Sequence, residues 1–270
     1  MTSSLSRLPE AKTVDNVLTN INQIIAWAIQ TESQIGYFAV VYQRVTLAIR
    51  DAINDGRRFT DEDRVTQLDV AFAQRYFNAL NAYFYPEEFA GPTMPWEVVF
   101  VAAQDSQAII LQHMMIAFNA HITFDLGMAC YAVAPEPDPL NALKGDFDSV
   151  NDLLCDQVEP MVEILQWLSP ELVWTRRLIP DELGVLKRFL RKLRRGAWEF
   201  AVYMALNPKL ASQKRVSQAA WAATLGTWYM QPPTRWTPFP LLIREIGKHE
   251  SRNVADNIRA LQGMKSPPHG

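Results

Sequence analysis

The chain has 270 residues, 49% hydrophobic and 20% charged, and a formal net charge of -3. This apolar content excludes a disordered chain, and the length fits one large domain better than two small ones. The charge argues against a general nucleic-acid-binding protein, which carries a basic excess. Two cysteines, Cys130 and Cys155, cannot form a cysteine-based zinc site. Because the first residues lack the pattern of a secretory signal, we expect a cytoplasmic protein.

Apolar residues recur at helical spacing from the start of the chain, and the first three predicted elements are helices. The first covers residues 13–31, and the second covers residues 36–53 and ends at Gly56, whose type suits a left-handed C-terminal cap. Thr60, followed three residues later by Asp63, predicts the start of a third helix that runs to Phe84.

Residues 98–133 are apolar nearly all round, and we expect them to form one central buried helix. A membrane span is the competing interpretation, since residues 108–134 are long enough to cross a bilayer. Buried polar residues such as His113, His121 and Asp125 disfavour it. Further helices are predicted over residues 147–168 and 241–261, after a loop at residues 135–139.

The predicted fold is therefore an all-α, single-domain multi-helix bundle around one apolar central helix. We expect its domain to cover residues 13–261, with an N-terminal tail at residues 1–12 and a disordered tail at residues 262–270.

The central segment also places polar groups where a purely structural helix would use Leu or Ala. His121 and Asp125 are four residues apart, so they lie one turn from each other on one helix face. This spacing allows Asp125 to orient His121 as a general acid or base, or both to bind one metal ion. His113 lies about 12 Å away along a straight helix and is a further catalytic candidate.

A divalent metal would need ligands from another helix. Antiparallel packing would bring the start of the next long helix beside the end of the central one, so the best candidates are Asp146, Asp148 and Asn151. The last helix could contribute a further ligand from Glu245, His249 or Glu250. We therefore predict His121, Asp125 and Asp146 as the ligand set and expect His113 to lie close to them. The alternative is a structural network in which the same polar groups only satisfy one another.

The run QHMMIAFNAHITFDL, with FAQRYFNALNAYF upstream and DFDSVN downstream, resembles a family of all-helical bacterial proteins of unknown function with a QHM-x4-NAHI-x2-DL signature. The resemblance would cover roughly residues 36–261 and supplies no activity. It implies that the signature positions include, besides the residues above, five candidate substrate-binding residues: Gln112, Asn119, Arg75, Tyr76 and Asn151.

Two weaker likenesses bear on chemistry. The His-x-x-x-Asp pair is distantly similar to that of zinc-dependent phospholipases C, although their further histidine and tryptophan ligands are missing here. The run from Asn151 to Glu159 resembles a magnesium-binding element of class I terpene cyclases, but no aspartate-rich partner motif lies upstream.

The stretch from Lys187 to Arg195 carries six basic residues in nine. A solvated helix face is the ordinary explanation, and the alternative is contact with an anionic surface, a carrier protein or an anionic substrate tail.

Two functional hypotheses remain open on the sequence. The first is an enzyme that acts on a hydrophobic small molecule, by metal-dependent hydrolysis or by acid–base cyclisation, isomerisation or dehydration. The second is a noncatalytic helical protein that binds a lipid or a partner, in which the polar cluster only fixes helix register.

Overall fold

The computed structural model describes residues 4–172, 181–233 and 239–263, and all its regular elements in these ranges are helical. An all-α multi-helix bundle is thus confirmed. The α-helices, in chain order, are α1 Val14–Thr31, α2 Ile35–Asp55, α3 Glu62–Phe84, α4 Met94–Ala102, α5 Ile110–Phe118, α6 Gly127–Val133, α7 Pro137–Leu168, α8 Glu182–Leu206, α9 Ala211–Met230, α10 Phe239–His249 and α11 Val254–Gln262.

The first helix boundaries follow local sequence chemistry. The Thr13 side chain accepts a hydrogen bond from the backbone N–H of Asn16, so it caps α1. Gly56 has a φ of 69° and ends α2 in the left-handed conformation predicted for it. The cap of α3 is Asp61 rather than Thr60, because the Asp61 carboxylate accepts from the N–H of Arg64.

The expectation of one helix over residues 98–133 is wrong. Helix α4 ends at Ala102, and the chain then passes through a polar turn in which Asp105 accepts from the N–H of Gln107. A new helix begins at Ile110, whose backbone N–H donates to the buried carboxylate of Glu250. The exposed residues of the turn explain the break, since they cannot continue a fully buried helix.

Residues 110–133, called the central segment below, consist of α5, a π-helix over Asn119–Leu126 and α6. This segment has the length and hydropathy of a membrane span, but 72% of its apolar 18-residue window is buried inside the protein. That burial agrees with the expected core position. Every residue of the π-helix is buried, and π-helical turns are rare and often occur at functional sites.

The core surrounds the central segment. Helices α3, α4, α8 and α9 pack directly against the π-helix. Gly127 allows the close approach of α8, because a Cβ atom there would lie 2.5 Å from the Phe200 ring and 2.7 Å from the carbonyl oxygen of Ala197. The structure therefore holds α8 tightly against the end of the π-helix.

Several elements toward the two ends of the chain have other bounds than predicted. Leu5, Leu8 and Ala11 are buried, so the segment that precedes α1 packs on the core. The predicted helix over residues 241–261 is divided into α10 and α11, and the one predicted to start at residue 147 starts at Pro137. The tail predicted from residue 262 lies almost wholly outside the described residues.

Candidate functional site

The π-helix brings His121 and Asp125 together at the centre of a polar network. His121 Nδ1 lies 3.4 Å from Asp125 Oδ2, and both side chains are almost completely buried. Arg75 on α3 donates from Nε to Asp125 Oδ1 at 2.8 Å, and Trp96 on α4 donates from Nε1 to Asp125 Oδ2 at 2.7 Å. Three helical elements therefore fix one carboxylate, which in turn fixes the imidazole.

Aromatic side chains hold the His121 ring on several sides. Phe72 stacks on it with a centroid distance of 3.6 Å and an interplanar angle of 10°. Tyr42 and Phe38 meet it edge-on at 4.8 Å and 5.5 Å. This packing leaves the imidazole little rotational freedom, so its two nitrogens keep distinct surroundings.

The charges of this network follow from burial and from Arg75. Burial lowers the pKa of His121, and its hydrogen bond to Asp125 only partly opposes this shift. Burial alone would raise the pKa of Asp125, but the Arg75 guanidinium and the bond to His121 bring it below its ordinary value. At neutral pH the pair is therefore a neutral imidazole beside a carboxylate. Nδ1 then carries the proton that faces Asp125, and Nε2 carries a lone pair.

The Nε2 atom of His121 is buried and has no hydrogen-bond partner. His121 lines a cavity of about 60 Å³, enough for several water molecules. Half-buried side chains of Val45, Phe72 and Leu154 form part of its wall, so it approaches the protein surface. Most of the lining is apolar, and the polar or titratable lining residues are Tyr42, Asp69, His121 and Arg194.

Asp69 on α3 is the titratable group that the sequence analysis missed. Its Oδ2 atom is buried without a partner, and burial raises its pKa to about 7. The signal was present in the sequence: Asp69 stands on the apolar face of α3, four residues after Val65 and three before Phe72. An acid on the apolar face of a predicted helix is a sequence signal of a buried titratable group.

His113 does not join the His121 network. It lines a separate cavity of about 10 Å³ with Tyr76 and Trp96, which has room for about one water molecule. Burial lowers the pKa of His113 to about 4, although Asp105 partly opposes the shift. Its Nε2 atom and the Tyr76 hydroxyl are both buried without partners. The structure thus shows no hydrogen bond between His113 and the His121 network among the described residues, and it places His113 at a different cavity.

The predicted ligand set of His121, Asp125 and Asp146 is also not assembled. The two carboxylate oxygens of Asp146 accept hydrogen bonds from the backbone N–H groups of Thr60 and Asp61, at 2.7 Å and 3.0 Å. Asp146 thus anchors the start of α3. Across the described ranges, no group of three or more His, Cys, Asp or Glu side chains is placed to hold a metal ion.

Three predicted substrate-binding residues bond to other parts of the fold and line neither cavity. Gln112 donates to the carbonyl oxygens of Tyr229 and Met230, and Asn119 donates to that of Ala222. Asn151 accepts from Nε of Arg194 at 2.6 Å. Their geometry matches the structural alternative, in which such groups fix helix positions.

Comparison with known proteins gives a family but no activity. The model of a family described as "Family of unknown function (DUF5995)" matches residues 14–232. This match starts earlier and ends earlier than the range expected from the sequence motifs, and it contains the whole His121 network and its cavity. No curated protein and no solved structure matches the chain.

Proposed function

Since the chain belongs to the DUF5995 family, whose function is unknown, its activity must be argued from its own site, and we propose acid–base proton transfer on a small, largely apolar molecule. The observation that carries this proposal is the buried Nε2 of His121, unpartnered while Nδ1 is held by Asp125. Isomerisation is the reaction class that this arrangement favours.

The proposed base is His121 Nε2. Asp125 selects the tautomer with the proton on Nδ1, and it stabilises the imidazolium that forms when Nε2 takes a proton. Arg75 and Trp96 keep the carboxylate in place during this change. Stacking against Phe72 restrains the ring plane. The burial that lowers the pKa of His121 also keeps Nε2 unprotonated and ready to accept.

The proposed acid is Asp69. With a pKa of about 7, a large share of this carboxyl is protonated at neutral pH and can donate to a substrate oxygen. In the isomerisation of a β,γ-unsaturated carbonyl compound, His121 removes a proton from the α-carbon while Asp69 donates a proton to the carbonyl oxygen, which gives a dienol. His121 then returns its proton to the γ-carbon, Asp69 takes back the hydroxyl proton, and the double bond moves to the α,β position. No atom is gained or lost, and no redox partner is needed.

The apolar walls of the cavity favour a second function, binding of an apolar ligand without chemistry. Phe38, Ile49, Leu68, Phe118 and Ile122 are among the residues that line it. A ligand would stabilise the folded state of such a binder as it would that of an enzyme, but a binder would need no proton acceptor.

Hydrogen–deuterium exchange at carbon separates the two functions. The protein is incubated in D2O with 2-hexanone and with 5-oxohexanoate, and loss of the proton signals beside each carbonyl is followed by NMR. We expect the wild type to accelerate exchange in at least one compound, and His121→Gln to reduce this acceleration by about 100-fold or more. The control is His249→Gln, at a histidine that pairs with Glu171 outside the cavity.

Added chelator should leave the exchange rate unchanged if His121 acts by proton transfer alone. Absence of exchange in the wild type, or full exchange in His121→Gln, would contradict the proposal and favour the noncatalytic binder.

A further inference from the structure

One residue of the predicted basic stretch differs from its neighbours in solvent exposure. Arg194 on α8 is buried, with a relative exposure of 4%, whereas Arg191, Lys192 and Arg195 are exposed. Arg194 also lines the His121 cavity. The basic stretch therefore has two parts, a solvated face and one guanidinium at the wall of the proposed site.

The described hydrogen bonds of Arg194 are all to neutral groups. Asp148 favours its charged form electrostatically but does not bond to it. Its Nε donates to the side-chain oxygen of Asn151 and its Nη2 donates to the carbonyl oxygen of Phe147 at 3.0 Å. The guanidinium lies 4.3 Å from the centroid of the Phe147 ring. No acid within the described ranges forms a salt bridge with it. Two of five N–H groups are used, so donors remain for another acceptor.

A buried cation without a directly bonded anion is costly, and Arg194 stays charged. Burial lowers the pKa of Arg194 to about 10, which still leaves it protonated at neutral pH. Asp69 lines the same cavity, but its Oδ2 atom has no hydrogen-bond partner, so this oxygen does not bond to Arg194. The cavity thus presents a fixed positive charge whose natural complement is an anionic group of a ligand.

We infer that the cavity binds a small apolar carboxylic acid as its anion, with the carboxylate on Arg194 and the apolar body directed along the walls toward His121. This inference deepens the proposed function by naming the substrate class, and it rests on that proposal for the location of the site. A guanidinium matches a carboxylate in shape and charge. A phosphate would bring about twice the negative charge to a single cation and to the neighbouring Asp69.

The exposed residues of the basic stretch would attract such an anion electrostatically. Lys192 and Arg195 form no salt bridge with any described acid, while Arg191 pairs with Asp152 at 3.6 Å. Their positive potential at the surface beside Arg194 would raise the local concentration of anions and speed association, with an effect that salt weakens.

The test compares binding of hexanoate and 1-hexanol, which have the same chain length and differ in charge, by calorimetry at fixed ionic strength. We expect the wild type to bind hexanoate at least tenfold more tightly than 1-hexanol. Arg194→Gln should remove this preference and keep the binding of 1-hexanol, which shows that the cavity persists. The matched control is Arg195→Gln, an exposed neighbour whose loss should change hexanoate affinity less than twofold.

Equal affinity of the wild type for the two probes, no binding of hexanoate, or a full preference in Arg194→Gln would overturn the inference. If Arg194→Gln does not fold, Arg194→Lys decides, because it keeps the charge without the planar fork. We expect its preference for hexanoate to fall at least threefold, and an unchanged preference would overturn the inference. Failure of the two proposals gives separate results, because carbon exchange of 2-hexanone needs no carboxylate, whereas the preference for hexanoate over 1-hexanol needs no exchange chemistry.

Discussion

Two buried histidines on one central segment have different surroundings. His121 bonds through Nδ1 to a carboxylate that Arg75 and Trp96 also hold, and it lines the larger cavity. His113 has no such carboxylate bond and lines a cavity with room for about one water molecule. Burial alone therefore does not distinguish the two histidines. They differ in whether a carboxylate orients the imidazole ring.

Removal of the carboxylate should have the largest effect. Asp125→Ala would leave Arg75, the Trp96 N–H and His121 without their common acceptor, so we expect a loss of about 3–5 kcal/mol in the free energy of unfolding. For a chain of this size the melting temperature should fall by roughly 6–20 °C. Asp156→Ala, at an exposed acid, is the control and should change it little. A melting temperature close to that of the wild type would show that the network contributes little to stability.

The substitution Asp69→Asn should raise the free energy of unfolding at pH 7.5, whereas Asp125→Ala lowers it. The pKa of Asp69 is about 7 in the folded protein and about 4 in the unfolded chain. The unfolded chain therefore releases its proton first, and the stability falls as the pH rises from about 4 to about 7. The variant lacks this loss, so it should be more stable than the wild type by about 2–4 kcal/mol at pH 7.5. Chemical denaturation at pH 4 and pH 7.5 measures the difference, and an equal or lower stability at pH 7.5 would contradict the account of Asp69.

The His113→Gln variant tests the other histidine in a similar pH range. Burial lowers the pKa of His113 to about 4, against about 6.5 in the unfolded chain. Between these values only the unfolded chain is protonated, so the wild-type stability falls as the pH drops from about 6.5 to about 4. This loss reaches up to about 3 kcal/mol. The variant should show a flatter profile over that range while keeping its exchange activity. Loss of carbon exchange in His113→Gln would indicate that His113 takes part in catalysis.

The smallest expected effect concerns Asp146. Its substitution by Ala leaves the backbone N–H groups of Thr60 and Asp61 without their acceptor, which costs about 1–3 kcal/mol. Ligand binding and carbon exchange should not change, because Asp146 does not line the cavity. A large loss of exchange activity without a change in melting temperature would argue for the catalytic role that the sequence suggested.

The sequence was informative about elements and less so about contacts. Helical periodicity and the cap at Gly56 predicted the first helices closely, because these signals are local. The i, i+4 spacing predicted the meeting of His121 and Asp125 for the same reason. The break after Ala102 was missed because the apolar character of residues 98–133 outweighed a short polar turn.

Long-range pairing explains the remaining errors. Asp146 was assigned to a metal site because helix packing was assumed, whereas its carboxylate bonds to the backbone 85 and 86 positions earlier in the chain. The roles of Asp69 and Arg194 depend on a cavity formed by several helices, and no spacing within one segment predicts it. Residue types thus indicate which polar groups matter, but only the packing separates a carboxylate that caps a helix from one that orients a buried histidine.

The central claim is that Asp125 holds His121 as the neutral tautomer with its proton on Nδ1, so that Nε2 is an available base. Long-range ¹H–¹⁵N correlation NMR on ¹⁵N-labelled protein at pH 7 reports the protonation of each ring nitrogen, and the His121→Gln variant assigns the signal. The account predicts a protonated Nδ1 and an unprotonated Nε2 for His121. A proton on Nε2, as the other neutral tautomer or as an imidazolium, would contradict it.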